Sequence, residues 1–371
     1  MPRTLRSAWV ALVVSTAVLG CSGPAPGADP SSGPTGPAST GPATSIPAAS
    51  GTALPAGWAE TEMTFATASG TAYGTLARPA GAGPVPGALL IAGGGPTDRN
   101  GDQRGFVTGS LRAVAGMLAR AGVASLRYDK LGSGRTGVGT VTDPATITLD
   151  TFADQAQAAL RTLADAPGID ASRLLVVGHS EGALYAQLLA TRPVLDGPRV
   201  SRIALVMPLA LRYLDLIGKQ VRGQIVAASA LGSISPEQAQ RLRGQLDAAT
   251  AAIRAGTAVP AALDPSLAGL FAPANIGYLR TADAVDPLAL ARQTPGGMPV
   301  LVVCGTDDVQ VDCPDAQALA TAVPSGAGHL VELAGVSHVL KVDGSRNPAN
   351  YSADLPYSPE LERALAGLVT G

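Results

Sequence analysis

Between residues 60 and 368, short apolar runs alternate with stretches of helical periodicity, and this alternation constrains the chain more than any other feature. A run such as Leu174-Leu175-Val176-Val177 shows no polar alternation, as expected of a strand covered on both faces by helices in a parallel sheet. Strands are expected over 60–67, 71–78, 88–92, 123–128, 174–178, 203–207, 300–304 and 329–333. The first two are separated by Ser69-Gly70 and read as an antiparallel hairpin. Helices are expected over 111–121, 150–164, 182–191, 313–322 and 359–368. Strands interleaved with helices specify an α/β architecture. The sixth and seventh strands are separated by about 90 residues of helical pattern, too long for a simple crossover. This segment, about 209–293, reads as a helical cap over the carboxyl edge of the sheet.

The run at 174–177 leads into Gly178-His179-Ser180-Glu181-Gly182, and a helical pattern opens there. A G-x-S-x-G between a strand and a helix is a nucleophile elbow, a strained turn that lifts the serine hydroxyl above the sheet. A serine needs a base, and the base needs an acid to orient it. With this elbow the partners follow in the order acid, then histidine. Two histidines follow Ser180. His338 lies in a loop just past the last strand and is the expected base. His329 starts that strand at the far end of the sheet and reads as a surface or structural residue. His179 is too close in sequence to swing round to Ser180. The acid should follow strand seven, where Gly305, Asp308 and Val311 meet the Gly-x-x-Asp-x-x-Val spacing. Asp308 is chosen over Asp307, which reads as a turn residue bonding its own backbone. The oxyanion donors are expected to be the backbone N–H groups of Glu181 and of Gly94, in the Gly93-Gly94-Gly95-Pro96 loop.

These features together resemble the α/β-hydrolases, and among them bacterial esterases with a strand-three signature of the type Gly-Ser-Gly-Pro-Thr-Asp-Arg-Asp-Gly. Here it reads Gly93-Gly94-Gly95-Pro96-Thr97-Asp98-Arg99-Asn100-Gly101, departing at Gly94 and Asn100. Three further segments are similar: Arg127 to Gly134, Gly305 to Val311, and Ser337 to Lys341. The resemblance implies a mostly parallel eight-stranded sheet with flanking helices and carboxylic-ester hydrolysis by Ser180, Asp308 and His338. Gly94 lacks a serine hydroxyl that relatives could turn to substrate, so specificity does not transfer. Leu214, Leu216, Ile217, Ile225, Leu267, Leu270, Phe271 and Tyr278 of the cap are available to line a pocket for an apolar acyl group. Their other reading is as the cap's own core.

Rival chemistries find less support. Gly132-Ser133-Gly134-Arg135-Thr136-Gly137 matches G-x-G-x-x-G after a strand, but no helix opens at those glycines to hold a pyrophosphate. A formal charge of −2 argues against a nucleic-acid partner. Three His and three Cys leave little for a metal cluster, so no metal or cofactor is expected. The same triad would also serve a serine peptidase or an acyltransferase. A non-enzymatic binding lipoprotein is the reading from another class. Oligomeric state is not legible.

The N-terminus reads as an export signal. Arg3 and Arg6 precede an apolar stretch of 12 residues, 8–19, shorter than the roughly 20 that span a bilayer. It ends in Val18-Leu19-Gly20-Cys21, which resembles the lipobox of bacterial lipoproteins. Residues 1–20 are then a signal peptide and Cys21 carries lipid that anchors the protein to the outer face of the cell membrane. Residues 21–55, rich in Ser, Gly, Pro, Ala and Thr with one charge, Asp29, read as a disordered tether. The folded domain is 56–371. In an exported chain the other two cysteines, Cys304 and Cys313, are expected to pair and to pin the loop that carries Asp308.

Overall fold

The computed structural model describes residues 52–81, 83–192 and 197–370. The signal segment, Cys21 and most of the expected tether lie outside the described residues. Residues 52–55, expected in the tether, rest on the domain. Thr52 is buried, and the carbonyl of Ala53 accepts a hydrogen bond from Arg120.

Eight strands form one sheet in the order β1-β2-β4-β3-β5-β6-β7-β8. They are β1 Trp58–Thr67, β2 Gly70–Pro79, β3 Val85–Ile91, β4 Ala124–Tyr128, β5 Ile169–His179, β6 Val200–Val206, β7 Val300–Gly305 and β8 Gly328–Leu333. β1 pairs antiparallel with β2, and β2 antiparallel with β4. Every later pairing is parallel. The expected hairpin and strand positions are observed. β5 starts earlier than expected because Ile169 and Asp170 pair with Val85 and Pro86 before a register shift.

Helices α1 Ser110–Arg120 and α10 Pro359–Thr370 pack on each other on one face of the sheet. On the other lie α2 Leu149–Ala164, α3 Gly182–Thr191 and α9 Cys313–Ala322. The helix α2 shows why the alternation was readable: Phe152, Ala156, Ala159, Leu160 and Leu163 recur at helical spacing and all are buried. Double coverage makes β3, β5, β6 and β7 the apolar centre, with Leu89, Val176, Ala204 and Val302 fully buried. Between β6 and β7 lie α4 Tyr213–Ala230, α5 Pro236–Ala255, α6 Pro265–Ala268, α7 Pro273–Asp283 and α8 Pro287–Ala291, with no strand among them.

The strand order places the site. From β3 the chain turns to β4 on one side, while β5 pairs on β3's other side. The loops leaving β3 and β5 therefore face each other across a topological switch point, where open α/β sheets bind ligands.

Candidate active site

The turn after β5 carries the backbone strain at the serine itself: Ser180 has φ 54°, a conformation costly for a non-glycine residue. It is held from several directions. Ser180 N–H donates to the Val206 carbonyl at 2.9 Å, and its carbonyl accepts from Leu209 N–H at 3.0 Å. The two elbow glycines act through close approach rather than positive φ. A Cβ on Gly178 would lie 2.2 Å from the Gly182 carbonyl oxygen, and one on Gly182 would lie 2.3 Å from the Ile91 carbonyl oxygen. Only glycine lets α3 start this close to β3 and β5.

Asp308 and His338 meet on loops from neighbouring strands, after β7 and β8. His338 Nδ1 and Asp308 Oδ2 are 2.7 Å apart, and both side chains are buried. The other carboxylate oxygen of Asp308 accepts the backbone N–H groups of Gln310 at 2.7 Å and Val311 at 3.1 Å. The turn-bonding role expected of Asp307 therefore belongs to Asp308. The carboxylate of Asp307 has no hydrogen bond among the described residues, and its backbone N–H donates to the Val336 carbonyl. Cys304 and Cys313 form a disulfide with Cα atoms 5.3 Å apart, closing the loop that holds Asp308. His329 is exposed on β8, far from this pair in the sheet.

Ser180, His338, Gly93 and Gly94 line one cleft. Among the described residues Ser180 Oγ makes no hydrogen bond, and neither do the backbone N–H groups of Gly94 and Glu181. With Nδ1 of His338 engaged by Asp308, Nε2 is the nitrogen left for proton transfer. A Cβ on Gly93 would sit 3.1 Å from the Cβ of Ser180, which brings the backbone after β3 against the elbow serine.

The loop after β3 explains the Pro-Thr-Asp-Arg stretch. The Gly94 carbonyl accepts from Thr97 Oγ1 at 2.7 Å and from Gln103 Nε2 at 3.2 Å. Asp98 accepts the N–H groups of Asn100 and Asp102, closing a tight turn. Arg99 forms a two-pronged pair with Asp129, Nε to Oδ1 at 3.0 Å and Nη2 to Oδ2 at 2.8 Å. That pair ties the loop to the end of β4. Lys130, next along, donates to the Gly93 carbonyl.

His179 is not idle. Its Nε2 lies 2.8 Å from the His338 carbonyl oxygen and its ring 4.9 Å from the His338 ring. Burial, and then the neighbouring His338, push its pKa down to about 3, so it stays neutral and donates to that carbonyl. Its place beside Ser180 in sequence gives no sign of this role, since the partner is 159 residues away on another strand's loop.

The eight cap residues expected to line a pocket do not line this cleft. All are buried in the core, and Tyr278 Oη lies 2.9 Å from Tyr185 Oη. Beside Ser180 stand Gln103, Thr108, Ser110 and Gln310, with Phe106 and Val339 as the apolar members. No residue of α4 to α8 is among them.

The chain is similar to known proteins in family and fold. Esterase EstD of Thermotoga maritima is 33% identical over 151 residues, which is 39% of this chain and 34% of that relative. The chain therefore spans about a third of the length of the curated relative it matches. Among solved structures, the hypothetical protein PA2218 of Pseudomonas aeruginosa superposes with a TM-score of 0.52 at 17% identity, covering 88% of this chain and 97% of that one. Est1E of Butyrivibrio proteoclasticus, with ferulic acid bound, gives 0.50 at 17%, covering 83% and 96%. These likenesses establish the α/β-hydrolase fold. The Hydrolase_4 family, described as serine aminopeptidase, S33, matches residues 107–344, and with more than half of its length inside that match the chain belongs to this family of hydrolases.

Proposed function

We propose that the protein hydrolyses carboxylic esters through an acyl-enzyme on Ser180. The carrying observation is the buried 2.7 Å contact of His338 Nδ1 with Asp308, on a histidine sharing a cleft with the strained Ser180. Ser180 Oγ attacks the ester carbonyl carbon while its proton passes to His338 Nε2. The carbonyl oxygen becomes an oxyanion facing the N–H groups of Gly94 and Glu181. Collapse breaks the ester bond, and the leaving alcohol takes the proton from His338. Water then attacks the acyl-enzyme by the same route, releasing the acid and restoring Ser180. The chemistry uses no metal or cofactor.

The family description favours a second reading, an aminopeptidase. Such an enzyme needs an anionic group beside the cleft to hold the substrate's free ammonium. Among the described residues that line the cleft with Ser180 there is no carboxylate, which favours the ester. The mostly polar lining, with Phe106 and Val339 as its apolar members, also argues for a short acyl group rather than an apolar group seated on the cap. Cys21 is proposed as the lipid attachment point, with residues 21–51 as the tether to the outer face of the cell membrane.

p-Nitrophenyl esters from acetate to decanoate, assayed beside aminoacyl p-nitroanilides, test the assignment. Turnover is expected to peak at the short esters and to be absent with the anilides. Ser180→Ala should lower kcat by about 10⁴-fold or more while the protein stays folded. Undiminished turnover in that variant rejects Ser180 as the nucleophile.

A further inference from the structure

Lys130 is a buried cation that the Ser180, His338 and Asp308 chemistry does not use. Its side chain is 1% exposed. Nζ donates to the Gly93 carbonyl and lies 3.4 Å from Glu181 Oε1. The ring of Phe152 stands 5.7 Å away. Glu181 is itself buried, and its Oε2 accepts from Tyr213 Oη at 2.7 Å. Oε1 also accepts from Tyr185 Oη at 3.4 Å. Burial, and then the charge of Glu181, raise the Tyr185 and Tyr213 phenols well above their ordinary range. They therefore remain protonated donors to the carboxylate.

Both partners of Lys130 are residues of the oxyanion site. The Gly93–Gly94 peptide is trans, so the Gly93 carbonyl and the Gly94 N–H form one rigid plane and point in opposite directions. An ammonium on the carbonyl fixes where that N–H points. It also draws electron density through the amide and makes the N–H a stronger donor. The next peptide is fixed independently, since Thr97 and Gln103 hold the Gly94 carbonyl. On its other side Lys130 holds the side chain of Glu181, whose backbone N–H is the second donor. We infer that Lys130 is the positioning residue of the oxyanion site, aligning the Gly94 N–H through the Gly93 carbonyl and the Glu181 N–H through the Glu181 carboxylate. This rests on the ester-hydrolase reading of Ser180.

The test uses two variants of the full chain. Lys130→Met removes the ammonium, and Lys130→Met combined with Glu181→Gln also removes the buried charge left behind. Each is assayed with p-nitrophenyl acetate and with a trifluoromethyl ketone, which forms a hemiketal oxyanion on the nucleophilic serine. A drop in kcat of about 10- to 100-fold with KM little changed is expected. The inhibition constant of the ketone should rise by the same factor as kcat/KM falls, because both report binding of the oxyanion. A lysine serving only the fold would lower the melting temperature without that parallel. A folded variant with wild-type kcat and wild-type ketone affinity overturns the inference. So does loss of the fold in both variants, which would assign the pair to stability alone. Failure of the underlying reading is separately visible in the wild type, whatever the Lys130 variants do: a fluorophosphonate would not label Ser180, or labelled protein would turn over aminoacyl p-nitroanilides and no p-nitrophenyl ester.

Discussion

On one side of Ser180 the loops after β3, β4 and β5 are held by buried charge, with Arg99 on Asp129 and Lys130 between Gly93 and Glu181. On the other side the loops after β7 and β8 are held by the disulfide of Cys304 with Cys313, by the contact of Asp308 with His338, and by hydrogen bonds from Asp307 N–H to the Val336 carbonyl and from Gly335 N–H to Thr306 Oγ1. The first half shares its load. Asp129 alone accepts from Arg99 Nε and Nη2 and from the backbone N–H groups of Arg99 and Arg135, so losing one bond leaves the others. The second half concentrates the bonding of the proposed acid in a short loop, on which the Asp308 carboxylate both shapes the turn and holds His338. For the proposed triad, small misplacements there would be expensive, because such an arrangement tolerates little error in distance or angle.

The largest effect is therefore expected at Asp308. Asp308→Asn should lower kcat by about 10⁴-fold, because an amide favours the wrong tautomer of His338. Asp307→Asn, whose parent carboxylate makes no hydrogen bond among the described residues, should stay near wild type. Steady-state kinetics on the two single variants decide the matter. Equal losses would mean that the acid of this half is not confined to one residue.

The contrast also explains what was legible in the sequence. Ser180, the strands and most of the helices depend on local chemistry: a glycine-flanked turn, apolar runs and 3.6-residue spacing. Asp308 was separable from Asp307 only by spacing from Gly305 and Val311, and its turn-forming bonds were credited to the wrong neighbour. The charge network was out of reach because its partners are joined only by the fold. Arg99 and Asp129 are 30 residues apart, and Lys130 and Glu181 are 51 apart. The motifs that contain them mark the loops but do not say which charge meets which. The cap residues were apolar at helical spacing, which cannot distinguish a pocket wall from a helix core. The packing of α4 to α8 made them core.

A second, smaller effect is expected from opening the covalent half. The paired change of Cys304 and Cys313 to serine removes a closed loop, worth about 2.7 kcal/mol in the chain-entropy treatment. Urea unfolding should show a loss of this order, and reductant should bring the wild type to the same midpoint. kcat should fall by much less than in Asp308→Asn, since the Gln310 and Val311 N–H groups still hold the carboxylate. A kcat loss as large as that of Asp308→Asn would make the bridge, rather than the carboxylate's own bonds, the determinant of position.

The smallest effect is expected at His179, where the two halves touch. It sits on the β5 side and donates to the His338 carbonyl on the other. Burial, and then the neighbouring His338, depress its pKa from 6.5 to about 3. The folded protein therefore keeps the imidazole neutral at a pH where the unfolded chain has already taken up a proton. Its contribution to stability is complete above about pH 6.5 and declines as pH falls from there toward 3, because the unfolded state binds the extra proton. His179→Gln removes that titration. At pH 8 it should cost about 1 kcal/mol, the worth of one hydrogen bond. Between pH 7 and pH 4 its stability should fall less steeply than that of the wild type. Urea unfolding at several pH values measures both slopes. Parallel slopes would show that His179 is protonated equally in the folded and unfolded chains, and that the contact between the halves does not depend on a neutral imidazole.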